Sequence, residues 1–178
     1  MTYDIYQVNQ EHYAEAAKAF LFQVADLIKQ KTVTGQRAIQ ASDALNIAES
    51  YSIKEPGMYW FIALTKSGGS VAGLMKLKTQ DTEVKVEDLC ANPTMQGTGT
   101  ELIERAVQFS ERMGKNGRLT LTDMSKPREA GGQTFYGKLG FKAPLDDPTS
   151  ITKNLNPNAN LGIWSPVQKK VGNSWKKI

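Results

Sequence analysis

VEDLCANPTMQGTGTELIERA, residues 86–106, runs from an alternating apolar stretch through Pro93 and the pair Gly97 and Gly99 directly into an amphipathic repeat. Val86-Glu87-Asp88-Leu89-Cys90-Ala91 reads as a strand. The stretch after Gly99 places Leu102, Ile103, Ala106, Val107 and Met113 on one side of a helix spanning 99–113, with Gly114 as its stop. A strand that turns through glycines into a helix start makes an anion site. Glycine permits positive φ and close backbone approach, and the amides of Met95, Gln96, Gly97, Thr98, Gly99 and Thr100 are expected to point outward where the helix dipole adds positive potential. A diphosphate fits such a cradle. The plain alternative is a tight strand-to-helix turn with no ligand, because a lone G-x-G is weak evidence. Neither the P-loop pattern nor G-x-G-x-x-G occurs in this unit, which argues against a nucleoside triphosphate or a nicotinamide dinucleotide.

Upstream, residues 58–65, 70–79 and 83–91 alternate as three strands, joined by Ser67-Gly68-Gly69 and Gln80-Asp81-Thr82. An antiparallel meander is the expected arrangement. Residues 2–8 alternate as an opening strand, which Asn9 stops while capping a helix to Lys29. Along that helix Tyr13, Ala17, Phe20, Leu21, Val24, Leu27 and Ile28 form one apolar stripe. A weaker helix follows from Gln36 to about Tyr51, with Ala38, Ala41, Leu45 and Ala48 inward. Downstream, residues 117–123 form a strand, and 130–139 a short helix ended by Gly140. Phe141 starts a further extended piece. The order β-α-α-β-β-β-α-β-α-β predicts an α/β fold with a mixed, mostly antiparallel central sheet and helices on both faces.

Length and composition bound the class. A chain of 178 residues with 40% hydrophobic and 22% charged residues is a folded globular protein of one domain with an appendage. The expected division is a single domain over 1–145 and a C-terminal extension over 146–178, comprising a closing strand and a basic tail. No apolar run approaches the ~20 residues that cross a bilayer, and the N-terminus lacks the order of a signal peptide. A cytoplasmic address and no membrane partner are therefore expected. The chain has one cysteine, Cys90, and one histidine, His12, so no internal disulfide and no Cys/His metal cluster is available.

The net charge is +4, from 22 basic and 18 acidic residues. Five lysines (Lys153, Lys169, Lys170, Lys176, Lys177) follow Pro148 with no acid among them, so the excess lies in the tail. With Trp164 and Trp175 nearby, that tail is a candidate for contacting nucleic acid. Its scattered lysines instead favour a solvated end, and nucleic acid is not the expected partner.

A second segment, LTLTDMSKPREAGGQTFYGKLGF (119–141), changes the reading when taken with the first. Together they resemble the GNAT superfamily of acyl-CoA-dependent N-acyltransferases. In that family a strand I-E-D-L-x-V-x-P precedes [QR]-x-x-G-x-[GA] and a helix, and here Val86-Glu87-Asp88-Leu89-Cys90-Ala91-Asn92-Pro93 precedes Gly97 and Gly99. The family's F-Y-x-x-x-G-F follows as Phe135-Tyr136-Gly137-Lys138-Leu139-Gly140-Phe141. The motifs cover roughly residues 58–142. Thr94 departs from the family's Gln or Arg, and Glu129 and Gly132 stand where Asn and Ala are common. The resemblance implies acetyl-CoA as donor, held by main-chain amides with the Thr94, Thr98 and Thr100 hydroxyls, the Gln96 side chain, and Gln133 replacing a lost polar contact. It implies that Leu89-Cys90-Ala91 pairs with the pantetheine arm, and that Leu89 or Cys90 offers an N–H to the thioester oxygen.

Under that resemblance Tyr136 is the expected general acid, its alternative being a core tyrosine. Glu87 is the expected general base, because strand parity puts it on the face of Leu89 and Ala91 while Asp88 faces the other layer. Its alternative is an ordinary salt-bridged strand residue. Cys90 reads as a buried structural thiol, since direct transfer needs no nucleophile, and His12 as a surface residue at a helix start. The expected function is transfer of an acetyl group to a primary amine on a small molecule, a peptide N-terminus or a lysine. The alternatives are an inactive acyl-CoA-binding regulatory protein and a nucleic-acid-docking protein using the tail. Exposed strands and the chain beyond Phe141 leave a homodimer open.

Overall fold

A computed structural model describes residues 3–125, 132–160 and 163–164. The elements run β1 (Tyr3–Val8), α1 (Gln10–Lys29), α2 (Gln36–Ala48), a 3-10 turn (Glu49–Ser52), β2 (Met58–Thr65), β3 (Val71–Thr79), β4 (Val84–Ala91), α3 (Thr98–Arg112), β5 (Leu119–Thr122), α4 (Phe135–Lys138), β6 (Thr152–Leu155) and a second 3-10 turn (Pro157–Ala159). The six strands form one sheet in chain order. β1 with β2, β2 with β3, and β5 with β6 are antiparallel, whereas β4 and β5 are parallel. The sheet is therefore mixed and mostly antiparallel, as the element order predicts. Among the described residues no helix is long and apolar enough to cross a membrane.

The chain divides into two compact units, Met1–Lys78 with Asp88–Leu102, and Thr79–Glu87 with Ile103–Ile178. In the first, the Asn9 carboxamide accepts the His12 amide at 2.8 Å and opens α1. Tyr13, Ala17, Phe20 and Val24 then face inward, joined by Ala41, Ala44 and Ala48 of α2 and by Ile62, Leu74 and Cys90 of the sheet. The small residues of α2 let two helices lie close over one sheet face.

β3 is buried on both faces. Leu74 packs toward α1 and α2. Its neighbour Gly73 faces the other way, where a Cβ atom would meet Thr98 Cγ2 at 2.8 Å, the Cys90 carbonyl oxygen at 2.9 Å and Leu102 Cδ1 at 3.0 Å. Successive strand residues point to opposite faces, so α3 begins on the face opposite α1. Only glycine at position 73 leaves room for that first turn.

In the second unit, α3 buries Ile103, Ala106, Val107, Phe109 and Ser110, and the Ser110 hydroxyl donates to the Arg118 carbonyl at 2.7 Å. Met113, expected on the inner side, lies beyond the helix end and is exposed. The helix stops at Arg112 because the Lys115 amide turns back to the Ser110 carbonyl. The short helix expected over 130–139 is shorter still. Its first residues lie outside the described segments, Gly132 to Thr134 are not helical, and α4 starts at Phe135. The expected basic tail with Lys169, Lys170, Lys176 and Lys177 also lies outside the described residues.

Gly73→Ala tests the seating of α3. Overpacking of this kind costs roughly 1–3 kcal/mol, and the contact with the Cys90 main chain cannot move aside as a side-chain tip would. A lowered urea midpoint with an unchanged slope is expected, and a midpoint equal to the parent's would contradict the close approach.

Candidate active site

Strand parity sorts β4 as expected. Val84, Val86 and Cys90 are buried, and Lys85, Glu87, Leu89 and Ala91 lie half-buried on the alternate face. The β4–β5 ladder pairs Val84, Lys85 and Val86 with Leu119, Thr120 and Leu121 and stops there, while β4 continues to Ala91. Main-chain groups of Leu89, Cys90 and Ala91 thus lie on a stretch of strand beyond that ladder.

The loop after β4 is knitted by Asn92. Its amide donates to the Ala72 carbonyl at 2.8 Å, its carbonyl accepts the Met95 amide at 2.9 Å, and its side-chain oxygen accepts the Thr94 amide at 3.0 Å and the Thr94 hydroxyl at 2.7 Å. Three carbonyls in succession are then captured. The Thr98 hydroxyl donates to Met95 O at 2.9 Å, the Tyr3 phenol donates to Gln96 O at 2.9 Å, and the Glu101 amide donates to Gly97 O at 3.0 Å. No peptide bond is cis. In a planar trans peptide the C=O and the following N–H point in opposite directions, so the amides of Gln96, Gly97 and Thr98 are turned away from the captors. Among the described residues, no main-chain acceptor is recorded for the amides of Gln96 through Thr100.

Gly97 holds φ at +87°, a conformation that costs an L side chain and lets the reversal occur. The loop opens the 15-residue α3, whose dipole favours an anion here. Glu101, in the first turn, directs a carboxylate oxygen at the Tyr3 amide at 3.4 Å.

This differs from expectation at three points. The Met95 amide closes the turn on Asn92, so the outward series starts at Gln96. The Thr94 and Thr98 hydroxyls each spend their single proton inside the loop, and Thr98 is fully buried. Only Thr100 keeps a hydroxyl with no internal partner recorded, and the Gln96 side chain is exposed.

On the α1/α2 face, Lys76 is 1% exposed. Its ammonium meets Asp88 Oδ2 at 2.7 Å, the Ser50 carbonyl at 2.7 Å and the Ser50 hydroxyl at 2.9 Å. Three donors find three acceptors. Burial and the nearby Asp88 carboxylate push the Cys90 thiol far above its usual range, and burial raises the Tyr13 phenol as well. A thiol held protonated this way is no nucleophile at neutral pH.

Glu87 belongs to the second unit and pairs with Lys85, two residues back on the same face, at 3.1 Å. Gln133 is exposed and Tyr136 half-buried. The Tyr136 ring meets Phe135 and Phe141 edge-on, with centroids 5.0 and 5.6 Å away. α4 is pinned at both ends. Buried Asp123 accepts the Thr134 hydroxyl at 2.7 Å, and the Thr134 oxygen accepts the Gly137 amide at 3.1 Å. At the other end the indole of Trp164 donates to the Leu139 carbonyl at 2.9 Å. Tyr3, Asn92, Asp123 and Thr134 are absent from the sequence-based site. Thr134 has a local signal, a cap residue just before a helix, and Asn92 one in the turn it closes on Thr94 and Met95, whereas Tyr3 and Asp123 act through partners farther along the chain.

The description "Acetyltransferase (GNAT) family" belongs to the family model that matches residues 23–141. No curated protein sequence matches the chain. Solved structures share its fold. The PaiA N-acetyltransferase from Thermoplasma acidophilum in complex with coenzyme A superposes with a TM-score of 0.54 at 16% identity, over 88% of this chain and 99% of that one. A tandem GNAT protein from the clavulanic acid biosynthesis pathway gives 0.52 at 17% identity, over 81% of this chain and 45% of that one. A GNAT family acetyltransferase from Listeria monocytogenes gives 0.51 at 12% identity, over 86% and 94%.

The environment of Cys90 makes a measurable prediction. Its ionised form is available to the unfolded chain but not the folded one. Stability contributed by the neutral thiol is therefore complete below the ordinary thiol pKa of about 8.5 and declines as pH rises beyond it, and that of the neutral Tyr13 phenol declines only above the ordinary phenol value of about 10. Urea midpoints should fall from pH 8 to pH 10. A chromogenic disulfide should release no colour from native protein at pH 8 and one equivalent after denaturation; rapid native labelling would contradict the buried thiol.

Proposed function

The chain belongs to the acetyltransferase (GNAT) family, and on that premise we propose that it transfers an acetyl group from acetyl-CoA to a primary amine by direct attack. The acceptor class comprises small molecules, peptide N-termini and lysine side chains. Acetyl-CoA supplies an activated thioester and carries a diphosphate. What supports the reading is the loop after β4, where captured carbonyls turn consecutive amides outward at a helix start.

In this reading the amides of Gln96, Gly97 and Thr98, with those of Gly99 and Thr100, hold the diphosphate. The Thr100 hydroxyl and the exposed side chains of Gln96 and Gln133 add donors. Leu89, Cys90 and Ala91 contribute main chain to the pantetheine arm, and the N–H of Leu89 or Cys90 polarises the thioester carbonyl. Cys90 acts through its backbone alone, because its thiol is buried on the other face.

Glu87, paired with Lys85 at 3.1 Å, accepts a proton from the attacking amine, directly or through a water. Tyr136 gives its proton to the departing sulfur. A phenol near pKa ~10 donates to a thiolate whose conjugate acid lies near ~8.5 at small cost. As the C–N bond forms and the C–S bond breaks, the amine loses one proton and the sulfur gains one, so the reaction needs no further reactant.

Thiol release from acetyl-CoA against a panel comprising an alkyl diamine, an amino-acid amide and a lysine-containing peptide tests the proposal. General-acid catalysis is worth ~10²–10⁴-fold, so Tyr136→Phe should lower kcat by on the order of 100-fold while CoA affinity stays within about twofold. CoA binding without thiol release from any amine would leave an acyl-CoA-binding protein rather than an enzyme, and a fully active Tyr136→Phe protein would remove the tyrosine from the mechanism.

A further inference from the structure

We propose that Tyr3 is a positioning residue for the donor's diphosphate, acting from the opening strand through the Gln96 carbonyl. The inference rests on the reading of the loop after β4 as the diphosphate cradle. Of the three captors in that loop, the Thr98 hydroxyl and the Glu101 amide come from the first turn of α3 itself. The third is the phenol of Tyr3, 93 positions away in sequence and 2.9 Å from Gln96 O.

Geometry gives that contact its consequence. Holding the Gln96 carbonyl inward holds the Gly97 N–H outward, because both belong to one planar trans peptide. The residue that follows this peptide is Gly97, at φ +87°. Glycine has the least steric resistance to rotation of any residue, so the 96–97 peptide is the plane in this loop that its own side chains hold least. If it flips, the Gly97 amide leaves the series and a carbonyl oxygen takes its place, setting a partial negative charge against a diphosphate. A hydrogen bond from outside the loop prevents this.

Tyr3 is well placed to act as a fixed point. The residue is 6% exposed, and its backbone is paired in register with Thr65 of β2. Its own amide lies 3.4 Å from Glu101 Oε2, which draws that first-turn carboxylate toward β1. One residue thus orients a donor of the cradle and engages a carboxylate in the first turn of α3. Tyr3 touches neither the amine nor the thioester in this scheme; it acts only on the loop.

The test compares donors with and without the diphosphate. Tyr3→Phe removes only the hydroxyl, and its melting temperature gauges any loss of fold. Calorimetry with CoA and with pantetheine, which lacks the nucleotide and its phosphates, reads the effect. The expected result is a five- to tenfold rise in Kd for CoA, the size of one lost hydrogen bond, with the pantetheine Kd unchanged. Replacing Tyr3 by 4-aminophenylalanine, which still donates, should restore CoA affinity. Equal weakening of both ligands, or an unchanged CoA Kd in a folded Tyr3→Phe protein, overturns the role of Tyr3 while leaving the cradle intact. Parent protein that binds pantetheine as tightly as CoA overturns the cradle itself. Should Tyr3→Phe not fold, the 4-aminophenylalanine protein and Thr98→Val, which frees the neighbouring Met95 carbonyl, carry the same comparison: loss in the second but not the first is required.

Discussion

A peptide plane offers a donor on one edge and an acceptor on the other, and the loop between β4 and α3 is organised by which edge the protein keeps. An anion site built from main chain gains little if carbonyls and amides share its surface, because the oxygens repel what the N–H groups attract. Here the carbonyls of Met95, Gln96 and Gly97 are each engaged from within, and the amides that follow are left over. The captured oxygens are satisfied at no cost to the fold, while the unpaired donors at Gln96 and Gly97 are exposed, where water holds them until a ligand does. The proposed acetyl transfer starts from that polarity.

The loop can hold its shape because both of its ends are anchored. At one end Asn92 closes the turn with its amide, its carbonyl and its side chain. At the other, the first turn of α3 rests on β3 where Gly73 leaves room. On the reverse face of the same strand, Lys76 spends all three protons on Ser50 and Asp88. Buried ion pairs contribute little net stability against an apolar alternative, but breaking one leaves an uncompensated charge. The arrangement therefore selects one placement of the 3-10 turn that carries Ser50 rather than deepening the core. β3 thus fixes an element on each of its faces through two residues, one with no side chain and one with a long charged one.

What could be read from the chain alone follows the range of each interaction. The helices and strands are local patterns, so the stripe Tyr13, Ala17, Phe20 and Val24 and the meander strands emerge within a residue or two of their observed bounds. The cradle was legible as a place, since Gly97 and Gly99 mark it, but not as a mechanism. Which amides face outward depends on Thr98, on Asn92 and on a phenol that lies 93 positions away, and no spacing rule announces the last. Lys76 was hidden in the same way, because a lysine within an alternating strand looks solvent-facing until Asp88 and Ser50 are brought to it. Met113 misled for a local reason: the apolar period continues past Arg112, although the backbone has already turned at Gly114.

The one-turn α4 shows why its boundaries escaped a periodic reading. Four residues cannot offset the cost of nucleating a helix, so nothing intrinsic to Phe135–Lys138 selects that conformation, and Gly131 and Gly132 weaken any longer helix. The turn exists because tertiary contacts impose it. Asp123 grips the Thr134 cap, Trp164 takes the Leu139 carbonyl, and two aromatic rings meet Tyr136 edge-on. Such contacts restrain the plane of the tyrosine ring. For a residue proposed to hand over a proton this is useful, because the fold rather than the helix propensity of four residues decides where its oxygen stands.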